Sequence, residues 1–344
     1  MPVISQELVD ECLSHIVDPV NLRACALVCR SWADTAQRAL FTTISVSSVT
    51  SRKRLEYALR ASPHLVHYIQ SLMLRQDIQM VEAICNLPFT HLQNVSVHHS
   101  GPLSIQSVVP LQTLFSLPSL RRVELDCYFF AATAFIQIWN LCTNIRHLRL
   151  RCVNHSGNSF QPTQRDSLAS IALESLKLGH VKSIETWLNH DLCPFDLSRL
   201  TLLSVDVYTS LFAWPRMAPA LQTIETLDFT IDHKIDTDPE VIDLSLFPSL
   251  MCLRMKINMH HITQALDTLS TVTSASRIRQ IIFRLRFRSS VACQQLDSKV
   301  ASLPLQHPLT VGFEGHVEES HFPQLTSRNM LRRTVWSPFA SQLL

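Results

Sequence analysis

The sequence predicts an α/β fold in which three short N-terminal helices precede a long array of strand–loop–helix units. Three observations support this prediction: a short apolar template recurs ten times, helix-start signals cluster in the first forty residues, and hydrophobic residues make up 46% of the 344 residues. A chain of this length forms about two domains or one elongated array.

Composition excludes several classes of protein. Lys and Arg number 30 against 28 Asp and Glu, whereas a dedicated nucleic-acid binder normally carries a clear basic excess. The first residues lack the basic region and apolar run of a signal peptide, and no run approaches the roughly 18 apolar residues of a membrane span. The ten cysteines contain no CxxC pair, and without an export signal we interpret them as reduced thiols. We therefore expect a cytoplasmic or nuclear protein.

Two helix starts are clear in the N-terminal segment. Ser5 can cap a first helix, with the carboxylate of Glu7 near the positive end of the helix dipole. Asp18 followed by Pro19 is a second N-terminal signal, because proline is favoured at the first helical position.

A third helix is predicted to start near Trp32 and to run to Leu40, since Ser31 and Asp34 resemble a capping box. Three helices of about forty residues in total are too few to bury an independent core. The first two helices are apolar on more than one face, so something else should cover the excess: the rest of the chain, a partner, or both.

The N-terminal segment resembles the F-box, a helical module that docks onto the Skp-type adaptor of cullin-RING ubiquitin ligases. The resemblance is carried by ISQEL at 4–8, Ile16, Asp18–Pro19, Leu22 and LVCRSW at 27–32. Ser5 stands where the family usually has proline. The resemblance implies that adaptor binding, or the module's own small core, involves Ile4, Leu8, Ile16, Leu22, Val28 and Trp32. Leu22, Val28 and Trp32 are expected to matter most, because buried aromatic and aliphatic anchors dominate such interfaces.

The template apolar-x-x-apolar-x-apolar, typical of a short strand, repeats through the rest of the chain. Its matches begin at Phe41, Ile69, Leu92, Leu120, Ile145, Leu173, Leu200, Ile224, Leu250 and Ile278. The steps of 23–28 residues fall within the range of leucine-rich repeats, and helix-like stretches such as 131–142 and 259–271 lie between matches. The pattern resembles the leucine-rich repeats of F-box proteins in a degenerate form.

The predicted fold class is thus α/β, with an N-terminal three-helix F-box-like module followed by a leucine-rich-repeat-like α/β solenoid. The module is placed at residues 2–41, the degenerate leucine-rich-repeat solenoid at 42–305, and a C-terminal cap or tail at 306–344, which includes a last strand.

Side chains that alternate with the apolar strand positions should form the concave face of the solenoid. The candidate substrate-binding residues on this face are Arg122, His147, Arg149, Arg151, Lys177 and Arg254. Arginine pairs well with carboxylate and phosphate, so we predict a protein substrate with an acidic or phosphorylated segment. The alternative is that these are ordinary solvated residues on the polar side of the strands.

Signals for catalysis or a cofactor are weak. Cys25 and Cys29 have helical spacing but no further ligand pair nearby, so we interpret them as packing or interface thiols. His316 and His321 lie five residues apart, whereas a metalloprotease helix needs four. RLRFR at 284–288 alternates as an ordinary basic strand does. We predict no catalytic residue, no metal and no cofactor.

The leading hypothesis is a non-catalytic substrate-recognition subunit of a cullin-RING (SCF-type) ubiquitin ligase. Its partners would be a Skp-type adaptor, through it a cullin, and an unknown protein substrate. The alternative is a leucine-rich-repeat protein-interaction scaffold, not linked to ubiquitination, whose N-terminal helices only cap the open end of the solenoid.

Overall fold

The structure, a computed structural model, is a mixed α/β fold dominated by parallel β-sheet. It describes residues 5–16, 18–75, 83–85, 87–103, 108–129, 132–155, 170–179, 188–190, 193–206, 215–231, 241–285, 289–314 and 319–332. The described residues form two compact units. Unit 1 contains those up to Ile171 together with Cys193 and Pro194, and unit 2 contains the others. This division falls within the predicted repeat region, and the predicted boundaries at 41 and 305 stay predictions.

Three helices open unit 1: α1 (Gln6–Ser14), α2 (Pro19–Ala26) and α3 (Arg30–Thr42). The Ser5 side chain accepts a hydrogen bond from the backbone N–H of Leu8, and Asp18 Oδ1 accepts one from Val20 at 3.0 Å. Both predicted N-caps are therefore confirmed.

The third helix forms close to its predicted start, but the predicted capping box of Ser31 and Asp34 is wrong. Helix α3 begins at Arg30, with Cys29 as its N-cap residue, so Ser31 lies inside the first turn and makes no capping box. Asp34 has other partners: it accepts hydrogen bonds from Arg38 at 2.9 Å and from the hydroxyl of Tyr68 at 2.6 Å. A contact with a distant residue thus replaces the local pairing that the sequence suggested.

Five parallel strands form the sheet of unit 1, in chain order. They are β1 (Thr43–Val46), β2 (Ser71–Arg75), β3 (Asn94–Leu103), β4 (Arg122–Phe129) and β5 (His147–His155). The helices between them are α4 (Val49–Ala61), α5 (Val108–Phe115) and α6 (Ala132–Gln137), with a 3-10 turn at Pro63–Tyr68.

Unit 2 continues with a parallel sheet of β7 (Ser175–Gly179), β9 (Leu202–Asp206), β10 (Thr226–Ile231), β11 (Cys252–Ile257), β12 (Gln280–Leu285), β13 (Thr310–Phe313) and β14 (Leu331–Arg332). Strands β6 (Ile171–Ala172) and β8 (Phe195–Asp196) form a separate pair. The helices are α7 (Ala218–Thr223), α8 (Ile262–Ser270), α9 (Ser290–Ala301) and α10 (Pro323–Ser327). Short 3-10 turns occur at 215–217, 244–246, 259–261 and 319–321.

All ten template matches become strands, and each strand begins two residues after the first apolar position of its match. The second template positions are aligned across neighbouring strands. They form the rows Ile44–Leu72–Val95–Val123–Leu148 in unit 1 and Leu176–Leu203–Leu227–Leu253–Ile281 in unit 2. Because a strand alternates its faces, this register places one apolar row in the core and leaves the polar row on the other face.

The C-terminal segment joins the sheet of unit 2 through the predicted last strand. Strand β13 pairs with β12, and β14 pairs with β13. Buried Asp297 on α9 accepts hydrogen bonds from the backbone N–H groups of Gln324 and Leu325, both at 2.9 Å. Its carboxylate therefore satisfies the exposed donors at the start of α10.

Candidate protein-interaction surfaces

The first surface consists of exposed apolar residues on the N-terminal helices. Leu8 on α1 is 59% exposed, Val20 at the start of α2 is 66% exposed, and Leu27 and Val28 just after α2 are 87% and 63% exposed. Val20, exposed Ala24, Leu27 and Val28 follow i, i+4, i+7, i+8 spacing, and the turn N–H groups of Leu27 and Val28 still bond back to α2. These four positions therefore share one helical face. We call Leu8, Val20, Leu27 and Val28 the docking surface.

A small core supports the helices from inside. It consists of Val9, Leu13, Leu22 and Ala36, with Ile16, Cys25, Ala26, Trp32 and Leu40 packed against it in part. Leu22 is only 5% exposed and contributes to this core. Four fully buried residues give little hydrophobic stabilisation, so the positions of the three helices depend strongly on each one.

The six residues predicted for adaptor binding thus occupy different positions. Leu8 and Val28 lie on the docking surface, Ile16 and Trp32 pack against the small core, and Leu22 lies inside it. Ile4 is outside the described residues. Val20 and Leu27 were not among the predicted residues, although the helical spacing from Val20 to Val28 would have identified them.

Cys29 borders the docking surface at the start of α3. Its Sγ lies 3.2 Å from the hydroxyl of Ser31. The hydrogen bond with Ser31, assisted by backbone N–H groups of the first helical turn, lowers the pKa of this exposed thiol. Cys25, in contrast, packs against the small core. The two cysteines that the sequence placed together therefore have different surroundings.

Helix α3 also joins the N-terminal helices to the first strands. Asp34 accepts a 2.6 Å hydrogen bond from the Tyr68 hydroxyl. The Arg38 guanidinium lies 5.6 Å from the centre of the Tyr68 ring. The hydrogen bond to Asp34 raises the pKa of Tyr68, with a further contribution from burial, because the carboxylate stabilises the protonated phenol. This contact fixes α3 to the turn that precedes β2.

The second surface is the polar face of the unit 1 sheet, where Arg122, His147, Arg149 and Arg151 lie. Arg149 pairs with Glu124 at 3.3 Å, and Arg151 pairs with Asp126 at 3.9 Å. Strand register explains both pairs, since Glu124 aligns with Arg149 and Asp126 with Arg151. Both arginines remain about half exposed, so their guanidinium groups reach solvent.

His98 also belongs to this polar face. Asp126 also approaches His98, whose Nδ1 lies 3.7 Å from its Oδ2. Partial burial lowers the pKa of Arg122, and the opposing effect of Glu124 is smaller. The list of predicted substrate-binding residues contains only the basic side chains of this face. The structure shows that Glu124 and Asp126 form ion pairs with two of them and partly neutralise their charge.

The third surface is the polar face of the unit 2 sheet. Asp228 aligns with Arg254 on the neighbouring strand, and Lys177 lies in the same row. Burial raises the pKa of Asp228, while the positive charges of Arg254 and Lys177 oppose that shift. Arg284 forms an ion pair with Glu314 at the far side of this face. The predicted residues Lys177 and Arg254 thus lie in the same row as the partly neutralising carboxylate of Asp228.

A metal or membrane function gains no support from the described residues. Among them, no group of three or more His, Cys, Asp or Glu side chains is arranged to hold a metal ion. His316 and the cations Arg286 and Arg288 lie outside the described residues. No described helix is long and apolar enough to cross a membrane.

Comparison with known proteins gives no family assignment. No protein-family model matches the chain. No curated protein matches it significantly.

Proposed function

We propose that the chain is a non-catalytic substrate receptor of a cullin-RING (SCF-type) ubiquitin ligase. The N-terminal helices would act as an F-box-like module that binds a Skp-type adaptor. The sheet units, as a leucine-rich-repeat-like solenoid, would bind the substrate protein.

The observation that carries this proposal is the docking surface. Leu8, Val20, Leu27 and Val28 expose apolar side chains on a helical module whose own core is very small. Exposed apolar residues scattered singly need no explanation, but a helical face of them marks an interaction site. An adaptor that covered this face would bury the side chains that the three helices leave open.

The ten aligned strands support the repeat part of the proposal. A parallel pairing with one apolar row in register is the arrangement expected of stacked repeat units, each burying the apolar face of its neighbour. The polar rows of such an array present many side chains for binding a partner.

The proposed mechanism is proximity. Holding the adaptor and the substrate on one chain raises the effective concentration of substrate lysines near the ubiquitin-charged enzyme. This mechanism requires binding surfaces and no reacting side chain on the receptor itself.

Arg149 and Arg151 are suited to an acidic substrate despite their ion pairs. Exposed ion pairs contribute only about 0–1 kcal/mol, so a carboxylate or phosphate can compete with Glu124 and Asp126. A guanidinium has five N–H donors, and it can therefore accept a second anion while it keeps the first.

The alternative function, an interaction scaffold not linked to ubiquitination, is favoured by one observation. The Asp34–Tyr68 hydrogen bond and the Arg38–Tyr68 contact pack α3 against the first repeat, as a cap of the array would. A cap has no need of the docking surface, and that difference separates the two proposals.

The test is binding of the full chain to a purified Skp-type adaptor, measured by co-purification and calorimetry. Val28→Asp is compared with Val291→Asp, because both valines are 63% exposed and Val291 lies on α9 in unit 2. We expect wild type and Val291→Asp to bind alike and Val28→Asp to bind at least about tenfold more weakly, since a buried charge at an interface is strongly unfavourable. Absence of wild-type binding, or equal binding by both variants, would leave the scaffold function.

A further inference from the structure

Helix α4 carries a basic face that none of the surfaces above includes. Leu55 and Leu59 are its buried residues, and the opposite side exposes Lys53, Tyr57 and Arg60 at i, i+4, i+7 spacing. Exposed Arg54 borders this stripe. Tyr57 is 76% exposed, which is unusual for a large aromatic side chain. We call Lys53, Arg54, Tyr57 and Arg60 the α4 basic face.

The positive charge of this face is not neutralised nearby. Glu56 is the helix's only carboxylate; it follows Lys53 by i, i+3 and precedes Arg60 by i, i+4, but its ion pair is with Arg52, at 3.4 Å. Within the part of the chain that the structure describes, no carboxylate lies in ion-pair distance of Lys53, Arg54 or Arg60. Helix α4 carries a net charge of +3, although the whole chain carries only +2. Helix α4 is therefore a basic segment of a nearly neutral chain.

Helix stability does not account for this charge pattern. Lys53 and Arg54 lie in the N-terminal half of α4, where the helix dipole disfavours cations, and the first turn contains no acidic residue. Lys53 and Arg54 also repel each other and neighbouring Arg52. Only Arg60, in the last turn, is placed favourably for the dipole. An anionic partner would provide the missing physical reason.

We propose that the α4 basic face binds an acidic segment of a partner protein. From Lys53 to Arg60 the stripe extends about 10 Å, enough for several successive carboxylates of an extended or helical peptide. Tyr57 between the cations supplies a rigid aromatic anchor of the kind that dominates protein–protein interfaces. The proposal is independent of adaptor binding, because the face shares no residue with the docking surface.

Two other anionic partners fit less well. A membrane surface requires a large apolar helix face for insertion, and on helix α4 itself, all of which the structure describes, the only exposed large aliphatic side chain is Val49, at the start of the helix. A nucleic acid is bound by proteins with a clear basic excess, which the nearly neutral chain lacks. Both are outcomes of the test rather than parts of the proposal.

The experiment measures binding of the full chain to a fluorescent glutamate-rich peptide by anisotropy, at low and at high salt. The variant is Lys53→Glu with Arg54→Glu and Arg60→Glu. Its matched control is Arg199→Glu with Arg277→Glu and Arg279→Glu, three exposed arginines of unit 2. We expect the α4 variant to bind at least about tenfold more weakly and the control to change affinity less than about twofold. Wild-type binding should weaken at high salt.

Two further variants keep the test independent of folding. Replacing the same three cations with glutamine removes the charge without reversing it, and Tyr57→Ala removes the aromatic anchor. Both should weaken peptide binding while circular dichroism stays unchanged. The proposal is refuted if wild type does not bind the peptide, or if the α4 variants bind as wild type does. It is equally refuted if the control loses as much affinity, or if an oligonucleotide or phosphatidylserine vesicle binds this face more tightly than the peptide.

Discussion

Leu22 and Leu27 lie five residues apart, and one is buried while the other is exposed. Truncating Leu22 to alanine should therefore change stability, and truncating Leu27 should change binding. Leu22 is 5% exposed inside the small core, and Leu27 is 87% exposed on the docking surface. Leu22→Ala should destabilise the N-terminal helices, whereas Leu27→Ala should weaken only adaptor binding. The comparison tests whether core and docking functions are separated as the structure indicates.

The expected cost of Leu22→Ala is about 3 kcal/mol. Buried leucine-to-alanine changes cost about 2–5 kcal/mol, and a small core that can partly collapse lies in the lower part of that range. Since 1.4 kcal/mol corresponds to a factor of ten, local opening should become about 100-fold more frequent. Hydrogen exchange followed by mass spectrometry should show this loss of protection in peptides from 5–42, while the β11 peptide at 252–257 stays unchanged.

Leu27→Ala should leave the free energy of unfolding within about 0.5 kcal/mol of wild type, because an exposed side chain leaves no cavity. On docking, each of the three missing carbon atoms would lose about 0.8 kcal/mol of favourable burial free energy. Scaled by the exposed fraction of Leu27, the total loss is about 2 kcal/mol. Adaptor affinity should then fall about 30-fold in calorimetry. Unchanged protection in Leu22→Ala would contradict the assignment of the core, and unchanged affinity in Leu27→Ala would contradict the docking surface.

Two further predictions concern the substrate face and Cys29. Arg149→Glu with Arg151→Glu should weaken binding of a phosphoserine-rich peptide at least about tenfold, because the new carboxylates would lie beside Glu124 and Asp126 and repel the phosphates. An unchanged dissociation constant would remove these residues from the proposed site. Cys29 should react with iodoacetamide faster than buried Cys85, whose pKa burial raises to about 12, and Ser31→Ala should slow Cys29 because the hydrogen bond that lowers its pKa is lost. Mass spectrometry of the labelled peptides at neutral pH measures both rates, and equal rates for Cys29 in wild type and Ser31→Ala would contradict the role of Ser31.

The strands were predictable because their signal is local. Alternation of apolar residues with a period of two defines each strand, and repeats of similar length bring equivalent positions into register. The two N-caps were predictable for the same reason, since Ser5 and Asp18 accept hydrogen bonds from backbone N–H groups three and two residues away, respectively. The ion pair of Arg149 with Glu124 could also have been found by aligning consecutive repeats, because both residues hold the same template position.

The partner of Asp34 and the division of the apolar helix faces were not predictable in this way. Asp34 accepts a hydrogen bond from Tyr68, a residue 34 positions away, so no rule based on neighbouring residues could predict this contact. Helix α2 and the turn after it are apolar on more than one side, and the sequence therefore offers both Leu22 and Val28 for the core or for an interface. Packing against α3 decides between them.

The sequence by itself determined which residues form strands, where the first two helices begin, and the apolar character of the N-terminal helices, because each depends on residues within a few positions. Only the tertiary structure decided that Leu22 is covered and that Leu27 and Val28 are exposed. It alone also decided how closely Arg149 and Arg151 approach their carboxylate partners, and that no carboxylate among the described residues forms an ion pair with the α4 basic face. Burial and charge pairing depend on which segments meet in space, and that meeting is a property of the folded chain.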